Sequence, residues 1–310
     1  MTTFKSRAAR VAALVVRMAL GAFFITSAVL KLLSIDEFEV YLFSYNVLSL
    51  RASMLAARLV IAAEALVGIG LMANIWKRFV DLSALLMLVG FTVFLCFSTL
   101  AGRSENCQCM GAMIEISPVQ SILKNAVLML LLVFAMGSRP WDWHPRWFLW
   151  LPAVLAPVVA VFVISAPDSW LFGPDEEVYN SEFLKEAMTP AGDLAGTGIG
   201  NGRKVVAFLT PGCAYCRMAD EKLTHIRQRG DLDSAAFIYL IPTRDSLGTQ
   251  PTMDSTTFHQ AAYRLTSKTF ALITYGQRPM VFLMEDGRVK ATCHYRNIDE
   301  GQITAFLRNE

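Results

Sequence analysis

Five long apolar runs separated by short polar connectors fill the first half of the chain, and shorter apolar segments alternating with amphipathic ones fill the end. The runs are Arg10 to Leu33, Ala52 to Ile75, Phe79 to Gly102, Pro118 to Gly137 and Arg146 to Pro167. Each is close to or above the roughly 20 residues that a helix needs to cross a bilayer. Lys5, Arg7 and Arg10 before the first run suggest a secretory signal, but the apolar stretch continues to Leu33 and further runs follow, which argues for an uncleaved anchor. The pattern predicts an α-helical membrane bundle of five transmembrane helices over residues 1–167. A polar stretch with Gly and Pro punctuation and one short amphipathic piece then predicts a linker over 168–203.

From Lys204 onward the pattern predicts an α/β domain over 204–310. An apolar strand "KVVAFL" leads through the turn "TPG" into "CAYCRMADEKLTHIRQRG", a helix ending at Gly230, and "AAFIYLI" gives the next strand. The stretch "MDSTTFHQAAYRLTS" is expected to be helical, "RPMVFLMEDGRVKATCHY" to form two strands around a Glu-Asp-Gly turn, and "DEGQITAFLRN" to close the domain as a helix.

Composition agrees with a membrane protein: the 310 residues are 54% hydrophobic and 17% charged, too apolar for an ordinary soluble chain of this length. The net charge of +2 comes without clustered basic residues, so no nucleic-acid partner is expected. Basic residues in short loops set orientation. Lys5, Arg7 and Arg10, then Lys77 and Arg78, then Arg139 and Arg146 fall on alternate connectors and predict a cytoplasmic N-terminus. With five spans in the inner (cytoplasmic) membrane, the loop "ENCQCMGAM" and the C-terminal domain would share the periplasmic or otherwise extracytoplasmic side, where disulfides persist.

The chemistry lies in the cysteines. Cys213 and Cys216 form a C-x-x-C at a strand-to-helix turn, where unpaired amides at the helix start favour negative charge. A zinc half-site or a structural disulfide is the alternative, but no second ligand pair accompanies it. The element order around this motif resembles the thioredoxin fold. That resemblance implies Cys213 as the attacking thiolate, Cys216 as the resolving thiol and Pro279 as the cis proline facing them. The chain departs from the family pattern in Gly212 before the first cysteine, in Ala-Tyr between the thiols and in Arg278 before the proline.

Cys107 and Cys109 lie one residue apart between apolar runs. With "LGAFFITSAVLKLLSIDEFEVYLFSYNVLS" and "AARLVIAAEALVGIGLM" they resemble the MauE/DoxX family, with Met110 where that family's C-x-C-F-G has Phe. The resemblance marks Ser27, Lys31 and Glu64 in the first two spans and implies disulfide formation or maturation of exported proteins. A disulfide within C-x-C is strained and easily reduced, which suits transfer, whereas loop stapling or packing is the plainer role.

A membrane thiol-disulfide oxidoreductase is the function expected: exported protein thiols reduce the Cys213/Cys216 pair, this pair reduces Cys107/Cys109, and a membrane quinone takes the electrons. An outward-reducing relay and a non-enzymatic assembly factor are the alternatives. Glu64 lies mid-span, where it must pair, face a polar cavity or be protonated, with Lys124 and Asn125 as candidate partners. Glu64 and Lys31 are the candidate quinone-binding residues. Arg17 and Lys31 are close enough to span ends to snorkel, and Cys96 and Cys293 are expected to be packed thiols. None of the four histidines has metal-ligand spacing, so no metal is expected.

Overall fold

The computed structural model describes residues 2–100, 117–137, 147–165, 179–243, 253–254 and 257–309, in two compact units. One comprises Met1–Tyr41 and Met54–Ala166, and the other Leu42–Ser53 and Pro167–Glu310.

The first unit is helical: α1 (Thr2–Leu33), most of α2 (Ile35–Ser44), α3 (Leu50–Ala73), α4 (Lys77–Leu100), α5 (Pro118–Gly137) and α6 (Trp147–Ile164). Four stretches, Ala8–Leu33, Leu50–Ala73, Lys77–Leu100 and Pro118–Gly137, are long and apolar enough to cross a membrane. The fifth expected run forms α6, which is apolar, contains Pro152 and Pro157, and falls short of the others among the described residues. The core joins Leu20 and Phe24 of α1, Val67 and Leu71 of α3, Ala84 and Leu88 of α4, and Leu128 and Leu132 of α5. Outward positions are equally apolar: Phe79, Leu86, Val93 and Phe97 on α4 and Val119, Leu123 and Leu130 on α5 are all exposed. A surface of that kind suits lipid and is unfavourable in water. α1 and α3 approach to backbone contact where glycines face each other. A Cβ at Gly21 would lie 2.7 Å from the Gly68 carbonyl oxygen, and one at Gly68 would lie 2.9 Å from that of Gly21.

The second unit is a mixed α/β domain. Its six-stranded sheet has the order β3-β4-β2-β1-β5-β6, with β1 (Arg203–Phe208), β2 (Phe237–Thr243), β3 (Met253–Asp254), β4 (Ala262–Thr266), β5 (Met280–Glu285) and β6 (Arg288–Cys293). β1 runs parallel to β2 and β2 to β4, while β5 is antiparallel to β1 and to β6. Alternation along β1 sends Val206 and Phe208 to one face, where Ile238, Phe282, α7 (Ser181–Ala187) and α9 (Ser267–Thr274) complete the core. The remaining helices are α8 (Ala214–Arg229) and α10 (Glu300–Arg308). The hairpin between β5 and β6 turns at Asp286 and Gly287, whose φ values of 48° and 76° are the left-handed pair that a two-residue hairpin needs.

Two expectations about this half need correction. The linker does not extend to residue 203, because Leu184, Ala187, Leu194 and Ile199 are buried in the core and α7 is part of the domain. The stretch around Met253 to Thr266 is not a helix where described. It forms β3 and β4, because pairing of Ala262 to Thr266 alongside β2 outweighs local helical preference.

Candidate functional site

The turn after β1 builds the thiol site. Thr210, Pro211 and Gly212 reverse the chain, and Gly212, at φ 77°, supplies a backbone conformation that side chains resist. Cys213 then caps α8: its backbone is extended and its Sγ accepts the Cys216 amide at 3.4 Å. The two thiols are unequal. Cys213 is partly exposed, whereas Cys216 is fully buried and receives the Thr210 amide on its Sγ at 3.4 Å. Burial, reinforced by the Cys213 sulfur, pushes the Cys216 thiol up to about 12, and the positive charge of Arg278 pulls the other way. Arg278 precedes Pro279 through a cis peptide bond at the start of β5. Tyr215, between the cysteines, is half exposed and lies against Tyr295, ring centroids 4.7 Å apart. Cys293 is buried at the end of β6.

A cleft of about 520 Å³ opens beside Cys213, lined also by Arg217, Asp220, Glu221, Phe258 and His259. Asp220 is buried on α8, and its Oδ2 accepts both the backbone amide of His259 at 3.1 Å and a contact from the ring Nδ1 at 2.8 Å. Behind it, burial first and the Asp220 charge second raise the Tyr239 hydroxyl well above the ordinary range. The sequence reading passed over Asp220 and His259. The one available signal was a carboxylate four residues after Cys216 on an otherwise buried helical face.

In the helical unit, charge is buried in pairs. Lys31 Nζ donates to Glu64 Oε1 and to Ser27 Oγ, each at 2.7 Å, with both charged side chains 2% exposed. The ammonium also sits 5.5 Å from the centre of the Phe91 ring. The residues marked in the first two long runs thus come together, and Lys31, expected to snorkel, does not. Glu64 accepts from Lys31 with Ser27 beside it; of the two candidate partners, Lys124, which lies over Phe23, acts on Glu64 through its charge, and Asn125 donates to Thr92. Arg17 is likewise buried against Asp81 of α4, again contrary to snorkelling. Arg58 pairs with Glu39 and donates from Nε to the Ser165 carbonyl at 2.7 Å. Removing such charges from water costs more than exposed pairs recover, so they are found inside only when paired. Cys96, expected to pack inside, is exposed on the outer face of α4. Cys107 and Cys109 lie outside the described residues.

Fold and buried charges together define a multi-pass membrane protein joined to a mixed α/β domain that carries a thiol pair at a helix start. Residues 9–138 match the family of Methylamine utilisation protein MauE, so the N-terminal region carries a MauE domain. The chain is also similar to Protein TlpB of Flavobacterium psychrophilum, 24% identical over 266 residues, which cover 69% of this chain and 72% of that protein. No solved structure matches the chain.

Proposed function

We propose that the protein is a membrane-bound thiol-disulfide oxidoreductase whose C-terminal half is a thioredoxin-like domain on the extracytoplasmic side. The observation that carries this reading is the inequality of the two thiols: Cys213 is partly exposed at the α8 start, and Cys216 is buried behind it and held protonated. A client thiolate can reach Cys213 Sγ but not Cys216 Sγ. Exchange then follows a fixed order, with Cys213 carrying the mixed disulfide and Cys216 as the thiol expelled or resolving. The order of β1, the thiol turn, α8 and β2, with Pro279 opening β5, supports the thioredoxin-like assignment.

Electrons from exported client thiols would pass from Cys213/Cys216 to Cys107/Cys109 and then to a membrane quinone. Lys31 and Glu64 are the residues that would hold the quinone headgroup. The fit rests on a buried carboxylate, ammonium and hydroxyl brought together in an apolar bundle: Glu64, Lys31 and Ser27. Such a group, when bound, supplies a two-electron, two-proton acceptor. The chain's own contribution is to place one acceptor oxygen and one cation at that depth and to exclude water around them.

Alkylation trapping in cells tests the scheme. Cys216→Ser should accumulate mixed disulfides with clients, and Cys213→Ser should accumulate none; equal trapping by both would refute the assignment. Serine at both Cys107 and Cys109, or depletion of respiratory quinone, should leave Cys213 and Cys216 reduced. If they stay oxidised under both conditions, the membrane half does not receive their electrons.

A further inference from the structure

The cleft beside Cys213 contains a group that the exchange scheme above does not use. Asp220 is 2% exposed, yet it sits on the lining with the half-exposed His259, and its Oδ2 engages that residue twice, at the backbone amide and at ring Nδ1. Donation from Nδ1 to the carboxylate fixes the ring orientation and leaves Nε2 as the nitrogen able to take a proton. The His259 side chain is 59% exposed, so a client entering the cleft can reach it. Thr224 steadies the other oxygen of Asp220 at 3.4 Å, and Tyr239 closes the rear of the cluster. Arg217, Asp220 and Glu221 from α8 are the charged side chains sharing the lining with Cys213 and His259.

We propose that His259, oriented by Asp220, is the general base that deprotonates an incoming client thiol in the cleft beside Cys213. This rests on the reading that Cys213 and Cys216 form the exchanging disulfide. In the oxidising direction the client thiol gives its proton to His259 Nε2, and its thiolate attacks Cys213 Sγ. A client–Cys213 disulfide forms, the Cys213–Cys216 bond breaks, and the electron pair leaves on Cys216 sulfur. The Cys216 sulfur takes up a proton from solvent, and His259 gives the client's proton back to solvent, so the proton count balances. The second client thiol then displaces Cys213, so that two client thiols become one disulfide and the protein disulfide becomes two thiols. Asp220 is the positioning residue and touches no client.

The size of the effect follows from thiol ionisation. A thiol with an ordinary pKa near 8.5 is only about 3% thiolate at pH 7, so a base at the point of attack raises the rate by up to about 30-fold. That advantage disappears as the pH passes the thiol's own pKa, and it never exists for a thiol that is already ionised.

The test uses the full-length protein in detergent with Cys107 and Cys109 replaced by serine and the Cys213–Cys216 disulfide oxidised. Its reduction is timed at pH 7 and pH 9 with 2-mercaptoethanol, largely protonated at the lower pH, and with an acidic arenethiol that is ionised at both. His259→Gln should slow 2-mercaptoethanol by at least about ten-fold at pH 7, less at pH 9, and leave the arenethiol within about two-fold. Asp220→Asn should show the same selectivity. The arenethiol rate reports that the fold and the disulfide are intact. Equal slowing of both thiols, or of neither, overturns the proposal. If neither thiol reduces the disulfide even with His259 in place, the reading of Cys213 and Cys216 as the exchanging pair fails instead.

Discussion

Replacing Glu64 by Gln keeps the shape of the side chain and removes its charge, leaving the Lys31 ammonium 2% exposed with no counter-charge at Oε1. Breaking a buried ion pair from one side costs about 3–5 kcal/mol, because the surviving charge keeps its full desolvation penalty. For a unit of this size that lowers the melting temperature by roughly 6–20 °C. Substituting both partners, Lys31→Met with Glu64→Leu, removes the penalty, and stability should return to within about 1 kcal/mol of the parent or exceed it. The assay is thermal unfolding of the purified protein in detergent for the two single variants and the double variant, with turnover of client thiols measured in native membranes alongside. A double variant that is stable yet fails to reoxidise Cys213 and Cys216 would separate the electron-transfer role proposed for the pair from its role in packing. A Glu64→Gln melt within about 1 °C of the parent refutes the reasoning. It would mean that Lys31, in the last turn of α1, relaxes to the interface once released.

Three further outcomes follow from the geometry. Pushed up to about 12, the Cys216 thiol carries about a thousand-fold less thiolate than an ordinary cysteine at pH 8 or below. Iodoacetamide at pH 8, read by mass spectrometry, should therefore label Cys216 at least that much more slowly in the folded reduced protein than in denaturant, and similar rates would place the thiol in solvent. Gly68→Val should cost about 1–3 kcal/mol, because its Cβ would meet Ile25 Cγ1 at 2.7 Å and the Gly21 carbonyl at 2.9 Å; Gly90→Ala, with nothing within 4 Å, should be neutral or stabilising. If the two melts match, the α1–α3 contact is looser than described. Glu285 is held below its ordinary 4.5 by hydrogen bonds from Lys290 and then Arg203, so its contribution is present above that pH and is lost as the pH falls below it. Glu285→Gln should flatten the acid limb of the stability curve there, and an unchanged limb counts against the pairing.

Sequence patterns carry information within a segment, and the features they revealed here are local. Runs of apolar residues long enough to cross a membrane show their length directly, and Asp286-Gly287 between two alternating segments announces a hairpin. The strand-to-helix placement of Cys213 follows from "KVVAFL" running into a polar helix through Gly212. What was missed depends on partners distant in sequence. Arg17 reads as a snorkelling residue until Asp81, 64 residues later, is seen to meet it, and Asp220 and His259 are 39 apart. The residues from Met253 to Thr266 suit a helix in isolation and become strands only because β2 offers an edge. Leu184 and Ile199 sit in polar surroundings, and it takes the sheet face beneath them to make them core residues.

The buried cations Arg17 and Lys31 of α1 also bear on how the chain is made. Arg17 and Lys31 lie on α1, which leaves the ribosome before α3 and α4: Glu64 follows Lys31 by 33 residues and Asp81 follows Arg17 by 64. An unpartnered basic residue deep in a bilayer costs about 2.5–3.5 kcal/mol. At roughly 5–20 residues per second, the matching acids emerge seconds later. Through that interval α1 has reason to stay at the insertion machinery instead of partitioning alone into lipid. Joint entry of α1, α3 and α4 satisfies both pairs at once, and a nascent chain stalled before Asp81 should keep α1 accessible to the translocon.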